Sequence, residues 1–283
     1  MKININDAEL FVNVQGDLDS GALPIIAHHG APGFSSHEEP AAAFRALTDT
    51  HPVISYDARG SGLSEYRGPY THEQWAADLE GIRQHFGIEK FIISGGSYGG
   101  YIALEYSIRH PERITHIILR DTCARDYSFL ARQNAQKRAA EFPQITEEVL
   151  DQMFHGTYAD SEEFVETFKI IAPLYDVNFN AEAWEERMRT ANVNVHAHNY
   201  AFSVNKPAYD VREQLKTLNI PTLITVGRHD WICPLEASEE MHELLPVSQL
   251  AIFENSGHSP QKEENELWIA TIREFLKAHD AYA

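Results

Sequence analysis

The sequence predicts an α/β fold: a mostly parallel central sheet with helices on both faces and an inserted helical cap. Three observations predict it. Short β-branched runs alternate with one-sided helical patterns along most of the chain. Several of those runs are apolar throughout rather than alternating. One long stretch carries helical patterns only. Continuously apolar strands are those covered on both faces, and strand–helix alternation supplies the cover.

The expected strands cover residues 9–14, 24–28, 52–56, 90–94, 114–120, 222–226 and 249–253. Between them, Thr71 and Gln74 form a capping-box pattern, followed by one apolar face of Trp75, Leu79, Ile82 and Phe86. A second helix, 98–109, stops at His110-Pro111, because the residue before proline avoids helical angles. Near the end, Trp268, Ile272, Phe275 and Leu276 mark another one-sided helix. The stretch 124–207 breaks the alternation with helical patterns at 128–141, 146–154, 161–171 and 181–191, punctuated by Pro143, Pro173 and Pro207. Residues 1–123 and 208–283 are therefore read as the core domain and 124–207 as a helical cap, or lid, inserted between two strands of one sheet.

Composition narrows the function. The 283 residues hold 23 Lys+Arg against 42 Asp+Glu, a formal net charge of −19. So acidic a surface repels phosphate backbones and anionic lipid, so neither nucleic acid nor membrane is an expected partner. The two cysteines, Cys123 and Cys233, form no C-x-x-C pair and suit a reducing compartment. The start lacks the apolar run of a signal peptide, and no stretch approaches the length that spans a bilayer. A soluble, cytoplasmic protein is the expectation. No His, Cys, Asp and Glu spacing marks a metal site, and the glycines of Asp57-Ala58-Arg59-Gly60-Ser61-Gly62 fit no nucleotide fingerprint. Asp57 and Arg59 read instead as loop-fixing groups. No cofactor is expected.

The strongest chemical signal is Gly95-Gly96-Ser97-Tyr98-Gly99-Gly100, between a strand and a helix. A serine on a sharp strand-to-helix turn projects its hydroxyl above the sheet edge, and the crowded turn requires small neighbours. A serine hydroxyl needs a base, and the base needs an orienting acid. His258, just past the last strand, is the candidate base. Asp230, in Gly227-Arg228-His229-Asp230 after the strand before it, is the favoured acid, with Asp121 as its rival. His28-His29-Gly30-Ala31-Pro32-Gly33 follows another strand and can offer a backbone N–H to an oxyanion. Ala31 is the candidate donor there, and Tyr98, the residue after the nucleophile, is the second.

Taken together, the segments His29 to Gly33, Asp57 to Ser64, Gly95 to Gly100, Gly227 to Asp230 with Cys233-Pro234, and Gly257 to Ser259 resemble the α/β-hydrolase fold. Within it they resemble the proline iminopeptidase (prolyl aminopeptidase) branch. The resemblance implies a serine hydrolase with Ser97 as nucleophile, Asp230 as acid, His258 as base, and Ala31 and Tyr98 as oxyanion donors. It also implies a helical cap, release of N-terminal proline from small peptides, and no metal or organic cofactor.

Two departures bear on the substrate. Ala31 stands where the branch usually has a second glycine. Trp231 follows Asp230, and residues 196–202 of the cap hold no carboxylate to meet a substrate ammonium. An esterase, lactonase or amidase acting on a small neutral acyl group is the alternative reading. A non-catalytic ligand-binding protein of the same fold is the third. The partner in the first two is a small-molecule or short-peptide substrate. Phe154, Tyr158, Trp184, Tyr200 and Trp231 are candidate pocket residues.

Overall fold

The computed structural model describes residues 1–138, 140–279 and 281. The apolar runs become the strands β1 (Lys2–Ile5), β2 (Ala8–Gln15), β3 (Ile25–His28), β4 (Val53–Tyr56), β5 (Phe91–Gly96), β6 (Ile114–Arg120), β7 (Thr222–Gly227) and β8 (Ser248–Phe253). They form one sheet in the order β1-β2-β4-β3-β5-β6-β7-β8. β3 to β8 are parallel, and β2 is antiparallel to both β1 and β4. β1 was not among the expected strands. It pairs through a two-residue turn, Asn6-Asp7, in which both residues take positive φ, the geometry that matches hairpin twist.

The helices are α1 (Glu38–Ala43), α2 (His72–His85), α3 (Tyr98–Arg109), α4 (Ser128–Lys137), α5 (Glu147–His155), α6 (Ser161–Ile171), α7 (Ala181–Thr190), α8 (Val195–Tyr200), α9 (Lys206–Ala208), α10 (Arg212–Leu215), α11 (Leu235–Leu244), α12 (Pro260–Glu263) and α13 (Asn265–Ala278). Strand side chains alternate between two cores, as a pleated sheet requires. Ile26, Ile54, Ile93, Ile117 and Ile224 pack with α2, α3 and α11. Ile25, Val53, Ile92, Ile118 and Leu223 pack with α1 and α13, whose Trp268, Ile272 and Phe275 are fully enclosed.

Thr71 caps α2 as expected, accepting the Gln74 N–H at 3.2 Å. The reciprocal half of the box does not form, because the Gln74 side chain donates to Asp78. Asp57 and Arg59 do fix their loop, but with different partners. Asp57 accepts from His37 and the Leu63 N–H, and Arg59 grips the buried Asp78 with two hydrogen bonds of 2.5 and 2.8 Å.

The segment between β6 and β7 forms the helical cap. α4 ends at Lys137, short of the expected residue 141, and Ala139 lies outside the described residues. α8, capped by Asn194, was not expected; a π-helical turn, Ala201–Asn205, joins it to α9. The two ends of the insertion meet in a bridge between Arg125 and Asp210. The core then reaches into the cap at two places. Trp231 enters an apolar cluster with Leu150, Met153, Phe154 and Leu174, and Phe34 enters one with Tyr158, Phe164 and Val195. Among the described residues no helix is long and apolar enough to cross a membrane.

Candidate active site

β5 ends in a turn that leaves no room for side chains. A Cβ at Gly95 would overlap the carbonyl of Gly99, and one at Gly99 would overlap the carbonyls of His28 and His29. Ser97 takes φ 53° and ψ −124° at this turn, a costly conformation for a residue with a side chain. The surroundings hold it there: the Ser97 N–H donates to Arg120 O at 2.8 Å, and Thr122 Oγ1 donates to Ser97 O at 2.7 Å. No hydrogen bond joins Ser97 Oγ to another described residue. Contacts between a nucleophile and its base characteristically tighten only when substrate is bound.

At the same edge, β7 and β8 lead into the loops of Asp230 and His258. These loops touch closely, since a Cβ at Gly227 would overlap the carbonyl of Gly257. Asp230 Oδ1 accepts the N–H groups of Ile232 and Cys233, each at 3.0 Å. Asp230 Oδ2 accepts from His258 Nδ1 at 2.7 Å. Because a carboxylate only accepts, the proton of the neutral ring sits on Nδ1 and Nε2 keeps its lone pair. The cap completes the arrangement: His258 N–H donates to Tyr175 O at 2.6 Å, and the Tyr175 ring meets the imidazole edge-on at 5.3 Å.

Asp121, the rival acid, is buried after β6 and makes no hydrogen bond to His258. Its Oδ1 accepts the Gly227 N–H at 3.1 Å and its Oδ2 has no partner among the described residues. Burial, and then the negative Asp230, push its carboxyl far above the ordinary carboxylate range. A carboxyl so placed is disfavoured in its charged form and is a poor partner for an imidazolium.

The loop after β3 is held by its own histidines. His29 Nε2 accepts the Ala58 N–H at 3.0 Å, so the ring proton lies on Nδ1, which donates to Gly30 O at 3.1 Å. His28 Nδ1 likewise donates to His29 O at 2.8 Å. Burial lowers both pKa values, that of His28 to about 3, so both rings stay neutral. In a trans peptide the C=O and the following N–H point in opposite directions. Fixing Gly30 O thus fixes the Ala31 N–H. Among the described residues, neither the Ala31 nor the Tyr98 N–H donates to another group of the chain. A Cβ at Gly30 would lie 3.6 Å from Ser97 Cβ, which puts this loop against the elbow.

Sequence reasoning missed the side chains that tie these loops together. The buried Arg120 guanidinium lies against Gly96 and grips Glu39 of α1 at 2.5 and 3.0 Å; Glu39 also accepts from Gln261, three residues past His258. Tyr175 was missed too, since nothing local separates it from other cap aromatics.

Of the candidate pocket residues, Trp231 and Phe154 meet edge-on in a cap cluster, and Tyr158 packs with Phe164 and His198. Trp184 lies on α7, and Tyr200, on α8, is 38% exposed. Tyr158 OH, Trp184 Nε1 and Trp231 Nε1 are buried polar atoms without a hydrogen-bond partner among the described residues. One metal-capable donor set was not expected from spacing: Asp230, Cys233 and His258 offer donor atoms that all lie within 4.8 Å of one another.

A family model described as alpha/beta hydrolase fold matches residues 24–265. Proline iminopeptidase PfmaB of Pestalotiopsis fici is 33% identical over 278 residues, 97% of this chain and 98% of that protein. A proline iminopeptidase of Heyndrickxia coagulans is 28% identical over 291 residues, covering 95% of this chain and 99% of that protein. Among solved structures, a thermophilic esterase from Thermogutta terrifontis aligns with a TM-score of 0.72 at 27% identity, covering 99% of this chain and 98% of that one. The proline iminopeptidase of Mycobacterium smegmatis aligns with a TM-score of 0.75 over 99% of this chain and 98% of its own, and its 20% identity speaks to the fold alone. The chain belongs to the α/β-hydrolase fold family and is related to its proline iminopeptidases.

Proposed function

We propose that the protein is a serine hydrolase that works through an acyl-enzyme on a small acyl substrate. The observation that carries this reading is the 2.7 Å hydrogen bond from His258 Nδ1 to an Asp230 held by two backbone N–H groups. It leaves Nε2 as the free basic atom of the ring. In this reading Nε2 takes the Ser97 proton as Oγ attacks the carbonyl carbon. The tetrahedral oxyanion rests on the Ala31 and Tyr98 N–H groups. The imidazolium then protonates the leaving group, and water, activated by the same ring, releases the acyl group.

Removal of an N-terminal proline from a short peptide is the first reading of the substrate, supported by the named relatives. A specific observation favours a second, an ester or amide of a neutral acyl group. The carboxylates next to the site are already engaged: Glu39 with Arg120, and Asp176 with Lys262 at 2.6 Å. A substrate ammonium without a partner carboxylate costs several kcal/mol, on the order given for burying a charge. A panel of proline arylamides and short acyl esters separates the two. Turnover of either class that disappears in Ser97→Ala supports the serine mechanism. Turnover that survives in Ser97→Ala contradicts it.

A further inference from the structure

Arg189 of α7 pairs with Glu186 at 2.6 Å, but Arg187, two residues earlier, makes no hydrogen bond or ion pair with another described residue. Its guanidinium lies over the ring of Phe34, 5.1 Å from the centroid. The Phe34 N–H donates to Ala31 O at 3.3 Å, and the same loop meets the elbow where a Cβ at Gly30 would lie 3.6 Å from Ser97 Cβ. The carboxylates whose charge reaches the guanidinium are Glu39, Glu38 and Asp176. Asp176 follows Tyr175, whose carbonyl holds the His258 N–H. Arg187 thus stands where the cap meets both the loop of the oxyanion donor and the segment that holds the base. Glu39 and Asp176 are matched already, by Arg120 and Lys262. Glu38 is exposed, where water and salt screen it. A guanidinium over an aromatic ring gives up none of its N–H donors, and its planar fork fits a carboxylate with two parallel hydrogen bonds.

We propose that Arg187 is a substrate-binding residue that takes a carboxylate on the leaving-group side of the scissile bond. The acyl group is the part that lies against Ser97, whereas the leaving group departs toward water. Arg187, on a helix with no buried residue, serves that outer end. The favoured substrates are therefore short peptides with a free C-terminus, or esters whose alcohol carries an acid group, over the same compounds as terminal amides. This rests on the serine-hydrolase reading, and the preference applies to either acyl class.

Two matched pairs test it: prolyl-glycine against prolyl-glycinamide, and O-acetylglycolate against O-acetylglycolamide. Within a pair only the terminal charge changes. For whichever pair is turned over, the ratio of kcat/KM, acid over amide, is expected to fall about 10-fold in Arg187→Gln, through KM, the scale of one hydrogen bond to a charged group. Arg187→Lys keeps the charge without the fork and recovers part of the ratio. Arg189→Gln removes an equal charge from the same helix and keeps the wild-type ratio. Added salt lowers the ratio in wild type but not in Arg187→Gln. Were Arg187 only packing the cap onto Phe34, acid and amide would change together and the ratio would stay fixed. Equal ratios in wild type and Arg187→Gln, or an equal fall in Arg189→Gln, overturn the proposal. Turnover of neither pair is a failure of the proposed function rather than of this residue, and binding then decides. Calorimetry of the four compounds with the wild-type chain is expected to show an acid bound more tightly than its amide, with the difference lost in Arg187→Gln. Absence of that difference overturns the proposal on its own.

Discussion

Asp121 and Asp230 stand at the ends of neighbouring strands, and their surroundings give them different work. Asp230 accepts three N–H groups, one from His258, whereas Asp121, buried beside the negative Asp230, accepts one and has an oxygen without a partner among the described residues. Asp230→Asn is therefore predicted to lower kcat by about ten-thousand-fold, the scale on which a mis-set tautomer acts, and Asp121→Asn by no more than a few-fold. Steady-state kinetics of the two variants check this, and the reverse ranking contradicts the assignment. The raised pKa of Asp121 adds a sign. A group that holds its proton more tightly when folded contributes stability that is lost as pH rises through its folded pKa. Asp121→Asn is thus expected to gain stability relative to wild type as pH rises, as urea melts across that range will read. His29 acts on the backbone: removing its ring in His29→Ala frees the Gly30–Ala31 peptide. The expected loss is about 10²-fold in kcat, the scale of one oxyanion donor, with KM little changed. An Asn there, which can still donate to Gly30 O, is expected to recover part of it; equal loss in both variants contradicts the role. The positions of Ser97, Asp230 and His258 were legible because each follows a strand within a few residues. Arg120 and Glu39 were not, because they meet across 81 residues of chain and no local pattern pairs them.

At the scale of elements, legibility followed burial. Strands enclosed on both faces carry continuous apolar runs, and β6, with Ile117, Ile118 and Leu119 fully buried, runs over the expected residues 114–120. β1 alternates Ile3 and Ile5 with exposed Lys2 and Asn4, too short a pattern to stand out without its partner β2. α8 was missed for a related reason. It has one turn and a half, and its signal lies in the Asn194 cap, which accepts the His196 and Ala197 N–H groups, rather than in any periodicity. The aromatic residue after the acid was read as a pocket candidate, and its packing gives it a second task. Trp231 is 2% exposed and fills the cap's own cluster from the core side. Trp231→Ala is predicted to cost about 3–5 kcal/mol, the range for emptying a buried aromatic site. It should also expose α5 and α6 to limited proteolysis before the sheet unfolds. A urea midpoint unchanged from wild type contradicts this coupling.

The whole molecule carries a store of buried or half-buried neutral histidines. Burial, with His29 beside one and Lys206 beside the other, holds His28 and His198 down to about 3, and burial holds His72 to about 4, from the ordinary 6.5. These groups gain protons on unfolding, so their contribution is fully present above pH 6.5 and is lost as pH falls from there toward the folded values. Each withdraws roughly 1.4 kcal/mol per pH unit over that interval. Denaturant melts are predicted to show stability falling steeply as pH drops below 6.5, and His198→Gln to reduce the slope by about one such increment. Stability that stays level over the interval contradicts these neutral states. The family and the sheet were legible at this scale because glycine-rich turns and apolar strands repeat in a fixed order. The substrate was not, because no local pattern says how the cap packs over the loops of Ser97 and His258. The account stands on Ser97 being an activated nucleophile. Its most direct measurement is mass mapping after exposure to a fluorophosphonate. One adduct on Ser97, absent in Ser97→Ala and strongly slowed in His258→Ala, is the predicted result; an unlabelled wild type, or an adduct on another residue, contradicts it.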